Sequence, residues 1–274
     1  MPQIDFDAVL APAFICVNRA CIFMGFGTNA ARDPNFKTYQ LPELPQFQVV
    51  PAELPDETLA EFKDEFGIWV VGNGLRELVE AWELVLDGFH AVILQSEFWA
   101  ASKSSSPNPE QYTKRELQFT KLGISKKFDL LEKKFEIHFP FRIELESLKK
   151  ARNCLTHRFG NVTEHDLNEV GCLAISWRAL ELFGRHKDGS EFLPNIEGPY
   201  PIDFPVDSPF MMRPGVRRKR VSLGEKIHFE PREIKELCYT YLVAVQQAKE
   251  AFVKYIEGIG GVVNYNDPSD SNVS

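Results

Sequence analysis

An excess of positive charge is missing from this chain. Its 274 residues carry 31 Lys and Arg against 39 Asp and Glu, a net charge of −8, which disfavours broad, sequence-independent binding to nucleic acid. Paired metal-ligand cysteines are missing as well. The five cysteines (16, 21, 154, 172 and 238) are odd in number, and no second pair follows Cys16-x4-Cys21, so a zinc site is not indicated. Reduced thiols and a cytoplasmic setting are expected instead. His138, His165, His186 and His228 fall into no His-x3-His or acid-containing pairing, so no metal and no cofactor is expected. A long unbroken apolar run is also lacking. Leu10 to Phe26 is interrupted by Asn18 and Arg19 and follows Asp5 and Asp7 rather than a basic flank, which argues against a signal peptide or membrane span. Gly258-Ile259-Gly260-Gly261 follows a helical pattern rather than a strand, and so does not read as a phosphate loop.

What is present is an ordinary globular composition, 44% apolar and 26% charged, with 22 phenylalanines to fill a core. The charge is uneven. Residues 110 to 160 hold 12 Lys and Arg against 7 Asp and Glu, a local net of +5 that leaves −13 for the remainder. A basic knot, Arg217-Arg218-Lys219-Arg220, lies within that acidic remainder. A positive surface on an acidic protein could receive RNA, although such lysines and arginines also serve as solvated helix faces.

Residues 1–55 contain seven prolines and little periodicity after Phe26, so an irregular N-terminal arm is expected. From Asp56 the pattern changes. Leu59, Phe62, Phe66, Trp69, Val70, Leu78, Ala81, Trp82, Val85, Phe89, Val92 and Ile93 recur at helical spacing, with Gly72-Asn73-Gly74 as a kink or break. A loop is expected over 101–109. Helices should follow from Glu110 to Lys121, from Ser125 (as N-cap) to Phe139, over 142–158 with Gly160 in a left-handed C′ position, and from Pro231 onward. Between the last two, Asp188-Gly189 signals a hairpin. Six prolines in 194–214 exclude helix and central strand, and two short strands should flank Leu223-Gly224-Glu225. The fold expected is mainly α, an up-and-down helical bundle over 56–260. A small β subdomain is inserted over 172–229, before the last helix, and a flexible tail follows over 261–274.

One segment proposes a chemistry. Residues 151–160 read Ala-Arg-Asn-Cys-Leu-Thr-His-Arg-Phe-Gly. Arginine offers a planar fork of donors to a phosphate, histidine moves protons near neutral pH, and asparagine adds a donor and an acceptor. On an ideal helix Asn153 and His157 share a face, whereas Arg152 and His157 stand about 140° apart. Arg152 falls at the edge of the apolar stripe and His157 nearly opposite it. The ordinary reading of the same residues is a paired arginine, an exposed asparagine and a histidine favoured by the helix dipole.

The string Arg152-Asn153-x3-His157, closing a late helix and followed by a strand-rich insert and one last amphipathic helix, resembles the Arg-x4-6-His signature of the HEPN superfamily over roughly residues 56–258. The resemblance implies a HEPN-like bundle and a metal-independent endoribonuclease in a defence or toxin–antitoxin setting. It implies a homodimer with its cleft between protomers, and an antitoxin or regulatory protein as a further partner. Arg152, Asn153 and His157 would be catalytic, with Lys149, Lys150 and Arg158 beside them to hold RNA. The alternatives are a non-catalytic dimeric binding or scaffold module of the same fold, or a nucleotide-binding helical protein.

Overall fold

The computed structural model describes residues 5–37, 39, 53–103, 106–186, 188–192 and 210–260. Six helices and three strands follow one another as α1 (Phe6–Arg32), α2 (Asp56–Ser102), α3 (Pro109–Thr120), α4 (Ile124–Phe135), α5 (Arg142–Arg158), β1 (Cys172–Arg185), β2 (Glu191–Phe192), β3 (Phe210–Ser222) and α6 (Pro231–Gly258). The chain is thus mainly helical, with a small antiparallel sheet before the last helix.

The N-terminal arm expectation is corrected over its first half. Asp5 caps α1 by accepting a hydrogen bond from Ala8 N at 3.0 Å, and Phe6, Leu10, Ala13, Val17, Ala20 and Met24 recur at spacings of three and four as a buried stripe. Positions 38 to 52 of that arm lie almost wholly outside the described residues. By length and composition α1 is apolar enough to cross a membrane, with a mean hydropathy of 1.8 over its most apolar window; here its buried stripe packs on α2 and α6 as part of the core.

The break expected at Gly72-Asn73-Gly74 is absent, for α2 runs unbroken over 47 residues, about 70 Å at 1.5 Å per residue. These glycines serve contact rather than interruption. A Cβ on Gly74 would lie 2.3 Å from the Met24 sulfur on α1, and one on Gly72 would lie 3.1 Å from Leu155 Cβ on α5. Without side chains at these points, two helices approach α2 closely from different sides.

α4 begins after Gly123 rather than Ser125 and stops at Glu136, which adopts a left-handed φ of 56°. α5 spans 142–158 as expected and closes on Phe159 (φ 52°) and Gly160 (φ 80°), whose N–H donates to Cys154 O at 3.1 Å. α6 opens on Pro231, with Glu230 and Glu233 forming a reciprocal cap.

In the sheet, β1 lies between β2 and β3. The hairpin at Asp188-Gly189 is confirmed, with Arg185 paired to Glu191. β3 runs antiparallel to β1 from Phe210↔Gly184 to Ser222↔Cys172. Pro214 therefore sits in an edge strand, which the exclusion of helix and central strand left open. An edge strand tolerates it because the missing N–H need not bond to a neighbour. The two short strands expected around Leu223-Gly224-Glu225 are one long strand followed by a turn and a single bridge, Asn161↔Lys226.

The strands do not form a separate subdomain either. β1 is covered on both faces: Ser147 of α5 donates to Ser176 O at 3.0 Å, while Trp177 Nε1 donates to Glu236 of α6 at 2.8 Å. Leu173, Ile175, Trp177, Val221, Ile227 and Phe229 belong to the same apolar core as the helices. The sheet completes the bundle because its inward residues, at alternate positions, are as apolar as the helix stripes they meet. The proline-rich stretch 193–209 and the tail 261–274 lie outside the described residues.

Candidate active site on helix α5

Helix α5 is anchored at its start. Arg142 binds Asp129 at 2.7 Å, Glu132 at 2.5 Å and Glu146 at 3.1 Å, and Leu145, Leu148, Ala151 and Leu155 bury its inner side. At its far end Arg158, expected to meet RNA, is engaged inside the protein. It makes a two-point pair with the carboxylate of Asp166, which also accepts from Thr163 N at 2.9 Å and Thr163 Oγ1 at 3.0 Å. Burial raises the Asp166 pKa, yet the bonds from Thr163 and Arg158 outweigh it and hold the group below the usual carboxylate range. A buried carboxylate of this kind needs its cation, so Arg158 is withdrawn from any phosphate-facing set. Lys149 is likewise turned toward Glu83, at 3.6 Å.

The motif itself divides across the helix. Arg152 lies on the core side and is half-buried. Its Nε is enclosed without a hydrogen-bond partner, as is the hydroxyl of Tyr241. The two groups are electrostatic neighbours: burial drives the Tyr241 phenol above its ordinary pKa, and the charge of Arg152 opposes that rise. His157 is exposed and Asn153 half-buried, and neither side chain has a hydrogen-bonding or ionic partner among the described residues. With Lys150, also exposed, they stand at spacings of three and four on one outward face. One protomer therefore brings Lys150, Asn153 and His157 together and leaves Arg152 on the far side of the helix. Cys154 is buried, its thiol donating to Asn161 O at 3.2 Å and raised by burial to a pKa of about 11, which leaves it a poor nucleophile.

The basic knot on β3 divides in the same alternating manner. Arg217 and Lys219 point to the α6 side, where Lys219 binds Glu233 at 2.6 Å and Arg217 lies 3.7 Å from Glu236. Arg218 and Arg220 are exposed, opposite Ser176 and Ala174 in register. They share the sheet face on which Ser147 of α5 rests, and no acidic partner neutralises them among the described residues.

Sequence reasoning missed the aromatic surface beside α5. A groove of ≈230 Å³ is lined by Trp69, Asn73 and Arg76 of α2 together with Leu155, Thr156 and Phe159. The first three also line a larger groove, ≈660 Å³, between α1 and α2 with Phe23, Phe26 and Phe66. Phe26 is 69% exposed, Trp69 60% and Phe159 75%, an apolar surface of the kind that marks interaction sites. The α2 phenylalanines and tryptophan were visible as an apolar stripe, but nothing in their spacing tells a face turned to the core from one turned to solvent. Arg19, Arg76, Glu77 and Glu80 rim the larger groove, with Arg19 bonded to Glu77 at 2.5 Å. Among the described residues no group of three or more His, Cys, Asp and Glu converges to hold a metal ion. No protein-family model, curated protein or solved structure matches the chain.

Proposed function

We propose that this chain is a metal-independent endoribonuclease of the HEPN type, cytoplasmic and acting as a homodimer. The observation that carries the reading is the outward face of α5, where His157 and Asn153, with Lys150 beside them, stand without partners on a helix held rigidly at both ends. In this reading His157 takes the proton from a ribose 2′-hydroxyl, or returns one to the departing 5′-oxygen. The 2′-oxygen attacks the phosphorus, the 5′-oxygen bond breaks, and a 2′,3′-cyclic phosphate remains. Asn153 orients the phosphate or the imidazole, and Lys150 attracts the backbone, with Arg218 and Arg220 extending the positive surface along β3.

Arg152 would stabilise charge growing on the phosphoryl oxygens. Because it lies across the helix from His157, this role requires substrate held between two protomers. The grooves beside Phe159 support a dimer at that border, since they carry both protruding aromatics and concavities, and charges of both signs. A two-fold contact can match such a surface to itself. The defence or toxin–antitoxin setting, and an antitoxin or regulatory partner, follow from the resemblance alone.

The test is incubation with single-stranded RNA in excess chelator. Cleavage leaving 2′,3′-cyclic ends, with 2′-O-methyl RNA and DNA left intact, is the expected result. Activity lost to EDTA and restored by magnesium would reject the mechanism. The exposed aromatics favour one other reading, a non-catalytic dimeric docking module of the same fold. Intact RNA together with a stable dimer would select it.

A further inference from the structure

The interior of the α1–α6 contact holds two thiols that no part of the proposed chemistry uses. Ion pairs at the two ends of this contact set its register: Asp7 of α1 meets Lys249 of α6 at 2.7 Å, and Arg32 meets Glu230 at 2.6 Å. The helices are therefore antiparallel, and a point a little beyond the middle of the α1 span lies opposite the corresponding point on α6. Cys21 and Cys238 occupy those two points. By the helical period Cys21 shares the face of α1 that carries Asp7 and Arg32, and Cys238 shares the face of α6 that carries Lys249, so the two cysteines stand on the facing sides of the contact. Both belong to the packed core: Cys238 is buried, and Cys21 is half-buried against it.

We propose that Cys21 and Cys238 form a reversible intramolecular disulfide that fastens the N-terminal helix to the closing helix, with a low-molecular-weight disulfide as oxidant. Cys21 is the entry point, being the more exposed of the two. The neighbouring Cys238 thiol holds the Cys21 thiol below its ordinary pKa, while Cys21 and burial push Cys238 up. The Cys21 thiolate attacks one sulfur of the small disulfide, giving a mixed disulfide and releasing one thiolate. The Cys238 thiol then gives up its proton, and its sulfur attacks the Cys21 sulfur and expels the second thiol. Two S–H bonds are lost, one S–S bond forms, and the oxidant leaves as two thiols. Cys154 is deep in the core and bonded to Asn161 O, and so is excluded from the exchange. Cys16 and Cys172, both half-buried, are the competitors.

The experiment uses the full chain, treated with oxidised glutathione, alkylated, and measured by intact mass and peptide mapping. The expected product is a monomeric chain two hydrogens lighter, with Cys21 linked to Cys238. Its melting midpoint should rise by several degrees, and dithiothreitol should reverse both changes. C21S should show neither the linkage nor the shift, and C238S should stop at glutathionylated Cys21. If C238S fails to fold, C21S alone decides, because Cys21 is half-buried. Full alkylation of both cysteines after oxidation, a bond to Cys16 or Cys172, or a chain-to-chain disulfide would overturn the proposal. None of these outcomes depends on whether the protein cleaves RNA.

Discussion

The two sides of α5 differ in what holds their residues. On the inner side Leu148 is fully enclosed, Arg152 is half-buried with its Nε enclosed, and Arg158 at the helix end is locked to Asp166. On the outer side Lys150, Asn153 and His157 are tied to nothing among the described residues. A side chain that stabilises its own fold is normally packed or paired; none of these three is paired, and Lys150 and His157 are exposed. The contrast suggests that changes on one side alter stability while changes on the other alter chemistry.

The largest loss of stability should come from the inner side. Leu148→Ala removes a side chain with 0% exposure, and substitutions of this type typically cost about 2–5 kcal/mol. Urea unfolding should show it as a shift in midpoint at unchanged slope. Arg158→Ala should cost a comparable amount, about 3–5 kcal/mol, because it leaves the buried carboxylate of Asp166 without its cation. A cost below about 1 kcal/mol in the same measurement would return Arg158 to the list of residues free to bind RNA.

The bundle interior provides a pH-dependent test of comparable size. His90 is 3% exposed and stacks on Phe119 at 4.0 Å between ring centroids. Burial first, and then the charges of Arg115 and Lys134, hold its pKa down to about 4, against roughly 6.5 in an unfolded chain. The folded state favours the neutral ring. The stabilisation is therefore complete above about pH 6.5 and is lost as the pH falls toward 4. The loss is on the order of 3 kcal/mol. His90→Phe should keep the ring stack and flatten the decline between those values in denaturation experiments at stepped pH.

The smallest expected effect on stability is that of His157→Ala. Its loss removes at most a favourable contact with the helix dipole, about 0.3–1 kcal/mol. A calorimetric midpoint lowered as far as that of Leu148→Ala would erase the contrast between the two sides.

Much of this arrangement was legible in the chain. The limits of α5, the opening of α6 at Pro231 and the hairpin at Asp188-Gly189 follow from local rules of capping and turn geometry. The opposition of Arg152 and His157 follows from helical period alone. What was hidden depends on long-range contact. The prolines between 34 and 55 overshadowed the apolar period of α1. Gly72 and Gly74 look like a break until Met24 and Leu155 are seen against them. Pro214 excludes a central strand but not an edge. Arg158 reads as one more basic residue near the motif. Its partner, Asp166, lies in a short polar turn that gives no sign of closing back on the helix.

The central claim is that His157 takes part in cutting RNA, and its direct test is the cleavage rate of His157→Ala beside that of the wild-type protein, on the same single-stranded RNA and at matched folding. General acid–base help is typically worth about 10²–10⁴ in rate. Cleavage by the wild-type protein that falls in this range for the variant, with an unchanged melting midpoint, is the predicted result. Equal rates from the two proteins, or no cleavage by either, would contradict it.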